Sequence, residues 1–181
     1  LFCCNMTILG DIGQAVMPHN HCSFELFRQM FQNATFVHLT KSYRSTYEIM
    51  QFAQAIKHEQ QMEAVARHGA CPDVHGCTSA KQELFAIESK LETFLNGDYA
   101  TLGILCKNHH KAQELHAKLS KKYPIHLLDY TSNRFTNGIH ITTIPLSKGL
   151  EFDEVIIPFA NDETYYTEFD KNLLYIACTR A

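Results

Sequence analysis

Residues 100 to 180 alternate between two spacings of apolar positions. Residues 101–106 (TLGILC) and 155–157 (VII) are continuous apolar runs, the pattern of strands buried on both faces. Between them, a run rich in β-branched residues (Ile139, Ile141, Thr142, Thr143 and Ile144) stops at Pro145, which cannot donate to a ladder. Residues 123–128 give a further strand after a turn, and residues 129–138 form a polar loop ending in Asn137-Gly138. Helical spacing takes over elsewhere. In 80–95, Leu84, Ile87, Leu91 and Phe94 share a face, and Asn96-Gly97 ends the helix. In 109–119, Ala112, Leu115 and Leu119 do the same, and a last helix begins near Asp170. Alternating strands and helices predict a parallel α/β sheet with helices on its faces.

The first half is less regular. Residues 6–9 and 35–39 read as short strands, with Ser23 capping a helix between them. A helix starts at Ser45 or Thr46, with a capping box from Ser45 to Glu48 and one face formed by Ile49, Phe52, Ala53 and Ile56. Residues 57–78 are polar and His-rich and carry Gly69, Pro72 and Gly76, so they read as irregular, with one edge strand near Val74.

Composition narrows the function classes. The 181 residues are 45% hydrophobic and 11% aromatic, enough for a packed core. A net charge of −3 argues against strong non-specific nucleic-acid binding by this stretch alone, because neutralising phosphates takes clustered Lys and Arg. No apolar run approaches the roughly 18 residues needed to span a bilayer, so no membrane association is expected. The seven cysteines (Cys3, Cys4, Cys22, Cys71, Cys77, Cys106 and Cys178) are odd in number and irregularly spaced. That favours reduced thiols in a cytoplasmic protein. Cys71 and Cys77 lie near His68 and His75 without the ligand spacing of a zinc site, so no metal site is assigned. The phosphate-cradling pattern GxxxxGK[ST] does not occur, and the chain opens inside what reads as structure. A fragment of a longer protein is expected.

The loop between the last two strands, LSKGLEFD (146–153), holds a lysine, a glycine and acidic groups in eight residues, more chemistry than a connector requires. Three other pieces sit at comparable places. GDIGQ (10–14) follows a strand-like run, SYRS (42–45) precedes a helix, and LLYIACTRA (173–181) lies in the last helix. In this order the four resemble motifs III, IV, V and VI of superfamily 1 helicases of the UvrD/Rep type, whose patterns run roughly GDxxQ, NYRS, KGLEFxxV and LLYVAxTRA.

The resemblance implies a RecA-like parallel sheet flanked by helices, without its own phosphate loop. Residues 1–34 would be the tail of the first lobe (1A), and 35–181 most of the second (2A), with no large 2B insertion. It implies an ATP-dependent DNA helicase or translocase with ATP and Mg²⁺ in the cleft between lobes, the Mg²⁺ ligands lying on the preceding 1A lobe. Gln14 matches the glutamine that senses the γ-phosphate, Tyr43 the aromatic stacked on adenine, and Arg44 an arginine reaching the γ-phosphate. Glu151 matches the acid that hydrogen-bonds the ribose, and Arg180 the arginine finger. Gly149 shapes the motif V loop, and Lys148 is a further candidate ligand. Two arginines suit phosphoryl transfer, since charge spreads over the γ-oxygens and a guanidinium stays protonated.

From the residues alone, other roles stay open. Arg44 is also read as an ion-pair partner of Glu48, Tyr43 as a core aromatic, Glu151 and Asp153 as solvated or cap-like carboxylates, and Arg180 as a frayed surface charge. The chain also departs from the motifs. Met17 and His19 stand where motif III usually has base-stacking aromatics, and Pro145 replaces the motif V histidine that contacts the nucleic-acid backbone. Stacking contributes roughly 1–3 kcal/mol per base. The nucleotide contacts are thus retained and the strand contacts thinned. With the missing 2B insertion, this resembles the helicase-IV-like branch, including the HelD proteins that act on bacterial RNA polymerase. An ATP-driven polymerase remodeller is therefore the alternative reading, and a non-catalytic α/β interaction module a third.

Overall fold

The computed structural model describes residues 6–11, 14–17, 23–57, 63–64, 67–132 and 134–181. Its organising feature is a four-stranded parallel sheet in the order β4-β5-β3-β6, formed by β3 (Thr101–Cys106), β4 (Ile125–Leu127), β5 (Gly138–Thr143) and β6 (Glu154–Ile156). β3 and β5 are central and run in register from Thr101 opposite Gly138 to Cys106 opposite Thr143. Each is buried along nearly its whole length, which is why β3 reads as an apolar run and β5 as one rich in β-branched residues, broken by the buried His140.

Side chains alternate across this sheet into two cores. Leu102, Ile104, Cys106, Ile139 and Ile141 point to one face, covered by α3 (Ala80–Leu95) through Ile87, Leu91 and Phe94 and by α4 (His109–Leu119) through Ala112, Leu115 and Leu119. Leu105, with Ile144 and Phe152, belongs to the other face, covered by α5 (Glu168–Cys178) through Leu173, Ile176 and Ala177. The bounds of α3, β3 and α4 are those the periodicity predicts. Their N-caps are Ser79 and Asn108 for the two helices, each accepting from a backbone N–H three residues on. α5 starts two residues before Asp170, because Thr167 and Asp170 form a reciprocal capping box.

Asp170 is buried and also pairs with Lys107, at the end of β3, with Nζ–Oδ1 2.5 Å. Lys107 donates as well to the Thr164 carbonyl, which ties the loop before α5 to the sheet.

Elsewhere tertiary context overrides the local pattern. Residues 155–157 were expected to be buried on both faces, but β6 pairs only with β3 at the sheet edge and is half-buried. Residues 6–9 form no ladder among the described residues and expose Ile8 and Leu9. Residues 35–39 likewise form no strand; the ladder begins later, with β1 (Lys41–Ser42) pairing parallel to β2 (Glu63–Ala64). The edge strand expected near Val74 is absent, and Val74 is solvent-exposed. α1 (Phe24–Met30) has the expected Ser23 cap.

α2 (Tyr47–Ile56) is capped by Thr46 rather than by the Ser45–Glu48 box. Glu48 instead accepts from the Gly69 N–H at 2.9 Å and contacts His68 Nδ1 at 2.8 Å. These contacts hold its carboxyl down to about 2, the His68 hydrogen bond first among the causes. The face that α2 buries runs through Met50 and Ala53 and packs toward α5. His19, Cys3, Cys4 and Cys22 lie outside the described residues. Among the described helices, none is long and apolar enough to cross a membrane.

Gly103 sets the spacing of the second core. A Cβ there would lie 2.9 Å from three atoms of the Phe152 ring, so the ring lies flat against the strand where a side chain would stand. Gly103→Ala is expected to cost about 1–3 kcal/mol by overpacking. In urea denaturation, the loss should be less than additive when combined with Phe152→Leu. The thiols make a separate prediction. Burial pushes both Cys106 and Cys178 up to about 12, whereas Cys71 and Cys77 are exposed. Thiol reagents should label Cys71 and Cys77 in the native protein and reach Cys106 and Cys178 only on unfolding.

Candidate nucleotide site

The chain after β5 does not run straight to β6. Ser147 N–H returns to the Thr143 carbonyl and Leu150 N–H to the Ser147 carbonyl, winding residues 144–150 into a tight helical turn. Buried Ser147 closes it further by donating to Ile144 at 2.8 Å. The turn exits through Gly149, whose φ of +91° would strain any residue with a side chain. This geometry carries Lys148, Glu151, Phe152 and Asp153 to fixed places.

Asp153 and Phe152 anchor the exit. Asp153 Oδ2 accepts from Ala100 N–H at 3.0 Å, Thr101 N–H at 2.8 Å and the Thr101 hydroxyl at 2.9 Å. Asp153 is therefore the cap-like acceptor among the readings the residues leave open. Its carboxyl is held below the usual range, the Thr101 hydroxyl contributing most. Phe152 N–H donates to the carbonyl of Arg180 at 2.9 Å, joining this loop directly to the end of the last helix.

Arg180 is not a frayed surface charge. It is 1% exposed, the largest of the fully buried side chains. Its Nε donates to the Ile176 carbonyl at 3.1 Å, and Nη2 lies 3.4 Å from Gln14 Oε1 and 3.5 Å from the Thr179 hydroxyl. Nη1 is buried and has no hydrogen-bond partner among the described residues. Burial first, and then the neighbouring Arg44, pull the Arg180 pKa down; Glu151, Asp11 and Tyr175 act against them. Two guanidinium groups and two carboxylates thus share one electrostatic environment.

Arg44 reaches it from the β1–α2 junction. Its Nε sits 2.6 Å from Glu151 Oε1, not on Glu48, and the pair remains open to solvent at 40% and 62% exposure. Arg67 donates to the Arg44 carbonyl at 3.2 Å, and Tyr47 N–H donates to the Arg67 carbonyl at 2.9 Å, bracing that turn. Gln14 arrives from the other end of the chain. Its Nε2 donates to Asp11 Oδ2 at 2.7 Å, and its backbone carbonyl accepts from Lys148 Nζ at 3.0 Å.

The structure therefore gathers Gln14, Arg44, Glu151 and Arg180, with Lys148 at the rim. Gly149 acts through the turn. Tyr43 is neither core nor part of the cluster, and its ring is 72% exposed beside Arg44. Met17 is exposed and Pro145 half-buried. Sequence reasoning missed Asp11, Tyr175 and the brace from Arg67. Asp11 was within reach, lying three residues before Gln14 in the same polar tip; the Arg67 brace carries no periodic signal.

Chemically, this arrangement can receive an anion. A buried guanidinium with an orphaned donor and a second arginine beside it present donors suited to phosphate oxygens, while the Gln14 amide oxygen accepts from Arg180. An exposed carboxylate next to them suits hydroxyl groups.

Comparison with known proteins bears on the same residues. The family model described as "UvrD-like helicase C-terminal domain" matches residues 138–181, from β5 through Arg180. The chain is also similar to a crystal structure of the C-terminal domain of a possible DNA helicase from Lactobacillus plantarum WCFS1. That match has a TM-score of 0.64 and 30% identity and covers 77% of this chain and 82% of that one. No curated protein matches the chain.

The anchoring by Asp153 carries a pH sign. Because its folded pKa is lowered, its contribution is complete above the unfolded value of about 3.9 and is lost as pH falls through the folded value. Asp153→Ala should destabilise the protein at pH 7 by about 1 kcal/mol or less, given its exposure. The difference from the unaltered protein should shrink in thermal melts taken below that range.

Proposed function

We propose, from the premise that this chain belongs to the family of UvrD-like helicase C-terminal domains, that it is the second motor lobe of an ATP-dependent DNA helicase or translocase. The orphaned, buried Nη1 of Arg180 beside Arg44 is the observation that carries this reading. Without an anion, a desolvated guanidinium with an unmade hydrogen bond and a like charge nearby is costly. The γ-phosphate of ATP supplies the negative charge and acceptor oxygens that this donor set lacks.

In this reading Arg180 is the arginine finger, and Arg44 meets the same phosphate after parting from Glu151. That ion pair is exposed and worth little, so its exchange is easy. Glu151, once released, accepts from the ribose, while the Tyr43 ring offers a face for the base. Gln14 reports the state of Arg180 to the segment that carries it. Among the described residues no three His, Cys, Asp or Glu side chains gather to hold a cation. In this reading the Mg²⁺ ligands and the phosphate loop belong to a preceding lobe, with residues 1–34 as its tail and 35–181 as the second lobe.

A second reading keeps the motor and changes its target. Exposed Met17 and half-buried Pro145 stand where strand-gripping groups belong, which favours an ATP-driven remodeller of RNA polymerase with little unwinding. Strand displacement by the full-length protein, run beside co-purification with bacterial RNA polymerase, separates the two.

In the full-length protein, Arg180→Ala should lower ATP hydrolysis by about 10³-fold or more. Arg44→Ala, at an exposed position, should lower it strongly with the melting temperature unchanged. The 181-residue chain by itself should not turn over ATP. Hydrolysis in both variants within about threefold of the unaltered protein would overturn the assignment.

A further inference from the structure

Asn172 lies on α5 two turns before Arg180 and is 6% exposed, a polar side chain on the buried face of an amphipathic helix. Both ends of its amide are engaged by distant parts of the chain. Lys57 Nζ, at the C-terminal end of α2, donates to Asn172 Oδ1 at 2.9 Å. Asn172 Nδ2 donates to the carbonyl of Ala15 at 2.8 Å. The orientation of the amide is fixed by chemistry, because an ammonium only donates and a carbonyl only accepts. The lysine charge on the amide oxygen also strengthens the amide N–H as a donor.

The neighbouring carbonyl, that of Gln14, is held by Lys148 from the turn after β5. Two successive carbonyls are thus pinned by side chains from two separate elements. Between these anchors and Asp11, the Gln14 side chain reaches Arg180. A flexible amide side chain on an unpinned loop would spend little time at that distance; fixing the backbone on its C-terminal side removes most of that freedom.

We propose that Asn172 is a positioning residue: relayed from Lys57, its amide straps the Gln14–Ala15 backbone onto α5 and so presents Gln14 to Arg180. The functional half rests on the reading of Gln14 and Arg180 as nucleotide-contacting groups; the strap itself does not. Asn172→Asp is the discriminating change. It retains an acceptor for Lys57 but cannot donate to Ala15, and it sets a carboxylate against that carbonyl. Lys57→Met, at a half-buried position, removes the relay and leaves the amide in place.

The test uses the full-length protein and two readouts: hydrogen exchange of the segment spanning residues 14–17, and steady-state ATP hydrolysis. Asn172→Asp should accelerate exchange there by about tenfold. It should also lower kcat by about tenfold with KM within about twofold, since Gln14 is misplaced and not removed. Lys57→Met should move both readouts the same way by less. Lys171→Ala, which among the described residues loses a surface pairing with Glu168 on the same helix, should leave both unchanged. Unaltered exchange in Asn172→Asp overturns the strap. Faster exchange with unchanged kcat overturns the positioning role. If the unaltered protein hydrolyses no ATP, the motor reading falls, and the strap is then decided by exchange alone.

Discussion

Arg180 carries a charge that water barely reaches, and much of the surrounding arrangement follows from keeping that charge tolerable. A guanidinium taken out of water needs acceptors on each of its nitrogens, and the chain supplies them unevenly. The Ile176 carbonyl takes Nε from within α5, and Thr179 and Gln14 approach Nη2. Glu151 and Asp11 add negative charge to its surroundings, while Arg44 adds a like charge. The result is a cation held in place and left short of one partner. A group in that condition is positioned for an anion before the anion arrives, which is what electrostatic preorganisation requires.

That placement depends in turn on the sheet. β3 and β5 are buried on both faces, so the position of the turn after β5 is set by rigid neighbours. Gly103 lets the Phe152 ring approach the strand, and the Phe152 backbone then donates to the Arg180 carbonyl. One residue therefore packs against the sheet with its side chain and fixes the end of α5 with its main chain. Asp153 secures the next step by holding the start of β3. Displacing the ring disturbs packing and site together.

The strands and helices from residue 80 onward were legible because each satisfies its own period: the apolar spacing of α3 and α4 and the unbroken run of β3 needed no distant partner to be recognised. The first half was harder to read. Residues 6–9 and 35–39 have the composition of strands, but a strand exists only where a neighbour accepts its hydrogen bonds, and composition carries no information about that neighbour. β6 was recognised as a strand and misjudged in burial for a related reason, since edge or centre is a property of the sheet order. Glu48 sat at the right spacing for a capping box, and a backbone N–H twenty-one residues away won it instead.

For the site, the sequence by itself determined which chemistries are present and in what order: an amide in a polar tip, an arginine before a helix, a carboxylate after Lys-Gly, and an arginine at the end of the last helix. Short motifs record side-chain types, and it was the resemblance of these four, in order, to superfamily 1 helicase motifs that implied phosphate chemistry. Only the tertiary structure decided that Arg180 is buried, that Arg44 pairs with Glu151, and that Asn172 joins Lys57 to Ala15. Each of those contacts spans between 107 and 157 residues or depends on desolvation. Neither long-range approach nor exclusion of water is written in local spacing; both arise when the sheet and its helices close around the turn that follows β5.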